Sequence, residues 1–359
     1  MAAYGSKNVF GMTGTRTTIK ELARVSGVSV GTVSRALNGY TDVSPETRER
    51  IVRLAQELDY TPAAAARALV MERSHVIGVF METGEGHPDV QHPFFHEVLG
   101  GLKDMLGAAG FDLLLFASEQ PGDGYGPHSY LKRARHHGVA GTVLIGVDTR
   151  DPEVERLLRS DIACVGVDVE LTGPRNGSVM SDNVEGAAMA VRHLVEHGHT
   201  RIATITGLLE TCPGRDRLTG YREEIQRQGL AYRDDYVGYG DFYVESGAAA
   251  MERLLDLPEP PTAVFAAADL MAVGAMGAIA RAGLRVPDDV ALVGFDDILL
   301  AGHTQPPLTT LRQDKQGLGA AAGEALIGRM EGDGDPQAVV TLPVELVVRG
   351  STVGQAVRT

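Results

Sequence analysis

The sequence predicts an α/β protein in two parts: an N-terminal all-α helix-turn-helix head, then a body of two doubly wound parallel-sheet subdomains. Three observations predict it. The chain has 359 residues, too many for one ordinary core. Its first 75 residues carry helical periodicity and ten Lys/Arg against seven Asp/Glu, whereas the remainder holds 23 against 40. From about Ser74 onward, short apolar runs alternate with amphipathic stretches, the pattern of parallel strands covered on both faces.

The bulk composition excludes several classes. Hydrophobic residues make up 43% and charged residues 22%, ordinary values for a water-soluble chain. No window approaches the ~18 uninterrupted apolar residues of a membrane span. The first residues, MAAYGSKNVFGMTGTRTT, hold no apolar secretory core, so a cytoplasmic protein is expected. Cys164 and Cys212 form no CxxC pair, which fits a reducing compartment. The net charge of −14 opposes nucleic acid, but it resides in the body, so only the mildly basic head is expected to touch phosphates.

Residues 1–16 lack periodicity and read as a disordered tail. Thr18 and Glu21 fit a capping box, with Ile19, Leu22, Ala23 and Val25 apolar on the helix they open. Gly27 supplies a turn, and Ser29 caps a second helix from Val30 to about Asn38 with Val33, Ala36 and Leu37 inward. Ser44-Pro45 opens a third helix ending near Leu58. Two short helices around a tight turn, braced by a third, are a helix-turn-helix, whose second helix enters the major groove N-terminus first. That end presents Ser29, Val30, Gly31, Thr32, Ser34 and Arg35. Arg35 suits a bidentate contact to guanine, and the hydroxyls suit phosphates. A small helical bundle with no DNA role has the same pattern.

Thr61-Pro62 followed by a run of alanines to Leu69 has high helix propensity but too few residues to hold a helix alone in water. It reads as a conditional hinge. The body's strands are expected at Val76–Phe80, Phe111–Phe116, Val139–Ile145, Ile162–Val167, Arg201–Ile205, Ala263–Ala266 and Val290–Gly294, with a helix from about Phe94 to Ala109. Ligands of such sheets bind at the carboxyl ends of the strands, so a cleft between the two halves is expected.

The run Thr18-Ile-Lys-Glu-Leu-Ala-Arg-Val-Ser-Gly-Val-Ser-Val-Gly-Thr-Val-Ser-Arg-Ala-Leu-Asn38, with Val43-Ser-Pro-Glu-Thr-Arg48 and Leu58-Asp-Tyr-Thr-Pro62, resembles the head of the LacI (lactose repressor) family. Landmarks in the body extend the resemblance from Thr18 to about Arg349: Gln91–Phe95, Ser181–Gly186, Arg215–Tyr221, Ala267–Asp269, Gly294–Asp297 and Pro306–Asp314. The resemblance implies a periplasmic-binding-protein-like core and a dimeric, sequence-specific repressor of a pseudo-palindromic operator, controlled by a sugar-like effector. It implies DNA contacts at Thr18, Ser29, Val30, Gly31, Thr32, Ser34, Arg35 and Asn38, with Val30 and Gly31 at base-reading positions. It also implies that paired hinges wedge Leu69, flanked by Ala66 and Arg67, into a central base step. For the effector it implies Arg217 and Asp296 on ligand hydroxyls, Phe242 stacking on the ligand, and Asp269, His92 and Phe94 about the cleft. The chain departs from the family pattern at Ala268 and over the long loop Glu82–Gln91.

The expected layout is therefore a tail (1–16), a head (17–60), a hinge helix and linker (61–73), a two-lobed core that dimerises (74–349) and a tail (350–359). The partners are double-stranded operator DNA, a small-molecule effector and a second copy of the chain, with no membrane. His193-Leu-Val-Glu-His197 fits a zinc-hydrolase pattern but reads equally as an amphipathic helix. Asp333-Gly-Asp335 lacks the spacing of a calcium loop. No Walker loop, dinucleotide fingerprint or nucleophile elbow is present, so no cofactor, metal or catalytic residue is expected. A solute-binding receptor shares the two-lobed body but needs export and has no such head. A regulator answering to a protein partner is the remaining alternative.

Overall fold

Capping and glycine placement build the head in the computed structural model, which describes residues 17–37, 40–60, 74–81, 92–117, 129–332 and 339–353. The described residues form two compact units divided between Ser74 and His75. Asn38, Ala66, Arg67, Leu69 and the tail at 1–16 lie outside the described residues.

In the first unit, α1 (Ile19–Ser26) starts at Thr18, whose hydroxyl accepts from the Glu21 N–H at 3.3 Å. The Glu21 carboxylate turns forward to Arg24, at 2.6 Å, and not back to Thr18 as a full capping box requires. Gly27, at φ 68°, ends the helix in the left-handed region open to a residue without Cβ. In α2 (Val30–Leu37), the Ser29 Oγ accepts from Thr32 N–H at 3.1 Å. In α3 (Pro45–Glu57), the Ser44 hydroxyl caps Thr47 N–H. Leu22, Val33, Ala36, Ile51 and Ala55 close a small core. Val25 does not join it. It is 43% exposed, and Ser26 takes the inward place, donating to the Leu22 carbonyl at 2.7 Å.

The second unit has two lobes joined by three chain crossings among the described residues. The first lobe contains β1 (Val76–Met81), α4 (Pro93–Ala108), β2 (Asp112–Leu115), α5 (Tyr130–His136), β3 (Gly141–Ile145), α6 (Pro152–Leu158), β4 (Ala163–Val167) and β5 (Asn176–Ser181). The chain then crosses into α7 (Asn183–Glu196), β6 (Ile202–Thr206), α8 (Cys212–Arg227), β7 (Val237–Tyr239), α9 (Val244–Leu255), β8 (Ala263–Ala266), α10 (Asp269–Arg281), β9 (Ala291–Asp296) and β10 (Thr309–Gln313). It returns to the first lobe as α11 (Lys315–Glu331) and β11 (Val339–Leu342), and crosses once more into β12 (Val344–Val347).

The sheet orders are β11-β5-β4-β3-β1-β2 and β12-β10-β9-β8-β6-β7. All pairings are parallel except β10 with β12. Apolar clusters fill both faces of each sheet, as parallel sheets require. Close helix contact explains the mid-helix glycines: a Cβ on Gly319 of α11 would collide with the Val98 carbonyl of α4, and one on Gly274 of α10 with the Val244 carbonyl of α9.

The expected tail at 350–359 starts too early. Ser351 is fully buried, donates to the Leu292 carbonyl at 2.6 Å and accepts from Thr309 N–H at 2.8 Å, so the core continues past Arg349.

Candidate functional site

The N-terminal end of α2 presents Ser29, Val30 and Gly31 to solvent, with Thr32 and Ser34 half-buried behind them. Val30 is 41% exposed, so its side chain is open to an apolar contact. Arg35 pairs with Asp42 at 3.4 Å, but both side chains are about half exposed, so the pair is weak and easily exchanged. Thr18 is exposed at the start of α1. The surface thus offers hydroxyls, an apolar contact and a guanidinium on one short helix and its neighbour, with Val33 and Ala36 fixing that helix from behind.

In the body, four of the five described non-glycine residues with positive φ gather where the lobes face each other: Asp168 after β4, Phe242 before α9, and Asp296 and Asp297 at the end of β9. Phe242, at φ 76°, is a bulky residue in a region such residues avoid. Strain of this kind is maintained only where the surroundings over-determine it, and it concentrates at ligand clamps.

Arg217 lies at the centre. It is 3% exposed, its Nε donates to Asn183 Oδ1 at 2.8 Å and its Nη1 to the Ala267 carbonyl at 2.6 Å. Its guanidinium carbon sits 3.7 Å from the centre of the Phe295 ring, a cation–π contact that holds its plane. Asp296 Oδ1 stands 3.8 Å from Nη1 and accepts from Gln313 Nε2 at 2.6 Å. Asp168 completes the constellation from the other lobe. Burial pushes its carboxyl up to about 6, against the pull of Arg217, and its Oδ1 has no hydrogen-bond partner. An orphaned buried carboxylate oxygen beside an arginine is a place for a ligand hydroxyl.

His92 joins the two lobes. Its Nδ1 accepts from Phe94 N–H at 3.3 Å and so caps α4, which leaves the proton on the other nitrogen, toward the Phe242 carbonyl. Its ring meets Tyr243 edge-on at 5.5 Å. Burial lowers its pKa, opposed by Asp296. Phe242 is half-buried, and a Cβ on Gly207 would run into its ring.

Four of the six expected effector residues therefore converge: His92, Arg217, Phe242 and Asp296. Two do not. Phe94 packs into the first lobe's core with Ile77, Val79 and Val98, because its position on α4 faces the sheet. Asp269 is completely buried, and both its oxygens are engaged, by Thr310 Oγ1 at 2.5 Å and Ile298 N–H at 2.9 Å. Burial and the neighbouring Asp296 raise its pKa, so it fastens β10 and the loop after β9. The residues that sequence reasoning missed are Asp168, Asn183 and Gln313. Asp168 has a local signal, an acidic residue at the carboxyl end of the strand expected at Ile162–Val167, where ligands of such sheets bind.

The zinc-like pattern has a structural use. His193 Nε2 bonds Thr352 Oγ1 at 2.8 Å, His197 Nδ1 bonds the His193 carbonyl at 2.7 Å, and burial pushes His193 down to about 4. Among the described residues no group of His, Cys, Asp and Glu is arranged to hold a metal, and no helix is long and apolar enough to cross a membrane. A cavity of about 820 Å³ on the first lobe is lined by Arg159, Arg175 and Arg329 with Glu155. It lies apart from these strand ends, and its arginines bond Glu155 and the Asp161 and Asn176 carbonyls.

Comparison with known proteins agrees with this fold. The model of "Bacterial regulatory proteins, lacI family" matches residues 18–63, and that of the "Periplasmic binding protein-like domain" matches residues 191–352. The chain is 36% identical over 338 residues to the HTH-type transcriptional regulator CelR of Thermobifida fusca, spanning 94% of this chain and 98% of that protein. Among solved structures, a transcriptional regulator CelR–cellobiose complex is 33% identical at a TM-score of 0.69, covering 94% of this chain and 100% of the other. The lac repressor dimer bound to operator and the anti-inducer ONPF is 28% identical at a TM-score of 0.80, covering 94% and 99%.

Proposed function

Because the chain belongs to the LacI family of bacterial regulatory proteins, it is a DNA-binding transcription regulator and not an enzyme, and we propose that a sugar-like effector held by Arg217, Asp296, Asp168, His92 and Phe242 sets its grip on the operator. The observation that carries this reading is the buried Arg217–Asp296–Asp168 constellation drawn from both lobes. A guanidinium and two carboxylates give direction to hydroxyls, and an aromatic ring gives a face for the carbon skeleton. A polyol that bridges the lobes favours one lobe arrangement over another, and its effect is limited by its difference in affinity for the two.

The chain acts in the cytoplasm as a homodimer, because one short helix reads too few bases and a two-fold dimer matches a pseudo-palindrome. Ser29, Thr32, Ser34 and Thr18 take phosphates, Val30 and Arg35 take base edges, Gly31 lets α2 approach the groove, and Asn38 contacts the DNA. Leu69, with Ala66 and Arg67, wedges the minor groove. The head spans 17–60, the hinge 61–73 and the two-lobed core follows.

The test is a titration of the full chain, and of Leu69→Ala, into a labelled duplex recovered by the wild type from a random-sequence library, with cellobiose as the first sugar probe. Salt-sensitive binding that the variant weakens about tenfold or more, and that the sugar shifts, supports the reading. Equal binding by the two proteins discards the wedge. Recovery of no preferred sequence discards the operator reading.

A further inference from the structure

Asp296 is held by the chain crossings themselves. Gln313 is the last residue of β10 and Lys315 the first of α11, so both lie where the chain passes from the second lobe back to the first. Gln313 Nε2 donates to Asp296 Oδ1 at 2.6 Å, and Lys315 Nζ donates to the Asp296 carbonyl at 2.6 Å. The two together fix the carboxylate and the strained backbone, at φ 118°, of one residue. Lys315 also meets Glu97 of α4, in the first lobe, at 3.4 Å.

The other end of Gln313 reaches the first crossing. Its Oε1 accepts from Ser181 Oγ at 2.6 Å, and Ser181 ends β5 just before the chain leaves the first lobe. Asp182 N–H donates to the Leu342 carbonyl at 2.8 Å, tying the third crossing to the first. Gln313 is 2% exposed and Ser181 4%, so water does not substitute for either bond. The polarity of this row is forced. A carboxylate only accepts, so Gln313 must turn its NH₂ to Asp296. Its carbonyl then faces Ser181, whose hydroxyl must donate.

We infer that Gln313 is a positioning residue that couples Asp296 to the lobe crossings, so that a hydroxyl bound at Asp296 alters the lobe arrangement through Gln313 and Ser181. The ligand part of this inference rests on the proposed effector site; the coupling itself does not. Asp296 Oδ2 has no hydrogen bond among the described residues, so a ligand hydroxyl engages the carboxylate there. A tilt of the carboxylate must then move the amide, because the short Oδ1 bond has no slack. Buried hydrogen-bonded rows transmit such shifts because their alternatives leave polar atoms unpaired.

A ligand-free cycle on operator affinity tests the coupling. Asp296→Asn and Ser181→Ala are measured singly and together, first in the wild-type chain and then in Gln313→Met, which fills the same space without hydrogen bonds. The expected result is non-additivity of threefold or more in the wild-type background and additivity in the Gln313→Met background. Additivity in both, or equal non-additivity in both, overturns the inference. Gln313→Glu supplies the rescue: shared with Asp296, one proton restores the donor, so coupling returns at pH 5 and is lost at pH 8. A flat pH profile for that variant overturns the inference. Cellobiose then separates the two readings. At sugar concentrations that saturate Gln313→Met, whatever its affinity, loss of the sugar's shift of operator affinity supports the coupling, and a shift equal to that of the wild type overturns it. Absence of any sugar response in the wild type, with the ligand-free cycle still non-additive, rejects cellobiose as effector and leaves the coupling standing.

Discussion

Arg217 Nη1 stands 3.8 Å from Asp296 Oδ1, close enough to share a field and too far to share a hydrogen, in side chains each 4% exposed. Each group spends its short bonds on neutral partners: the guanidinium on Asn183 and Ala267, the carboxylate on Gln313. The pair is thus fixed from outside and left open to a hydroxyl that accepts from one and donates to the other. Removal of the cation leaves Asp296 and Asp168 buried without their opposite charge. Arg217→Ala is expected to lose sugar binding by 100-fold or more and to destabilise the fold by about 3–5 kcal/mol. Arg217→Lys keeps the charge but cannot reach both Asn183 and Ala267, so it retains most of the stability and little of the sugar affinity. Thermal melting and sugar titration on the same preparations separate the two effects; equal recovery of both by lysine contradicts a geometric role.

Asp168 gives the body a pH signature. Burial holds its carboxyl up to about 6, above the ordinary value of 3.8. A carboxyl raised on folding favours the folded state at pH below its unfolded value, and that contribution disappears as pH rises through the folded one. Wild-type stability is therefore expected to fall, relative to Asp168→Asn, between about pH 4 and pH 6.5, by on the order of 2 kcal/mol. Denaturant melts of both proteins across that range check it. Parallel curves would mean that Asp168 titrates like a surface carboxylate.

The strands with a dense apolar run were legible within a residue or two: β8 was read as Ala263–Ala266 and is found there. Those that mix polar residues were not. β5, Asn-Gly-Ser-Val-Met-Ser, and β10, Thr-Thr-Leu-Arg-Gln, look like loops because their polar groups answer to partners far along the chain. Ser181 of β5 donates to Gln313, and Thr310 of β10 donates to Asp269. The same limit governed the site. The family resemblance points to Arg217, Asp296 and Asp269 alike, but Asp269 is a fastener, since nothing local shows that Thr310 and Ile298 fold back on it. Asp168 and Gln313 were legible only as positions, not as members of one constellation.

That difference between two neighbouring aspartates is testable. Asp269 accepts from Ile298 N–H and Thr310 Oγ1, a demand an asparagine meets if Thr310 reverses and accepts from the new NH₂. Burial already favours the neutral carboxyl there. Asp269→Asn is expected to keep sugar affinity within about threefold, whereas Asp296→Asn lowers it by tenfold or more. A large loss in the first variant, with melting unchanged, would return Asp269 to the ligand.

The same carboxylate leaves no room for a side chain on Gly294, whose Cβ would collide with Asp269 Oδ1. Gly294→Ala is expected to destabilise the body by about 1–3 kcal/mol, as overpacking of a buried site does. Gly294→Ala combined with Asp269→Ala is expected to lose less than the sum, because the second change removes the nearer atom that the first one meets and leaves only the flexible Leu308 side chain. Denaturant unfolding of the four proteins gives the cycle, and a strictly additive result would show that the strain at Gly294 arises elsewhere.

In the head, the proposed base reading and phosphate holding fall on different side chains at α2. Arg35 has one exposed partner, Asp42, at 3.4 Å, so exchanging it for a guanine edge costs little. Arg35→Ala is expected to weaken the preferred duplex by about 1–3 kcal/mol and to relax the preference at one base pair in each half-site. Ser29 acts differently. Its Oγ accepts from Thr32 N–H at 3.1 Å and so caps α2, whose N-terminal end suits a phosphate. Ser29→Ala is expected to weaken all duplexes by a similar factor and to leave the preference unchanged. Selection from a random library, repeated with each variant, distinguishes them. A changed preference in Ser29→Ala, with an unchanged one in Arg35→Ala, would reverse the two assignments and place the reading edge of α2 nearly two turns earlier.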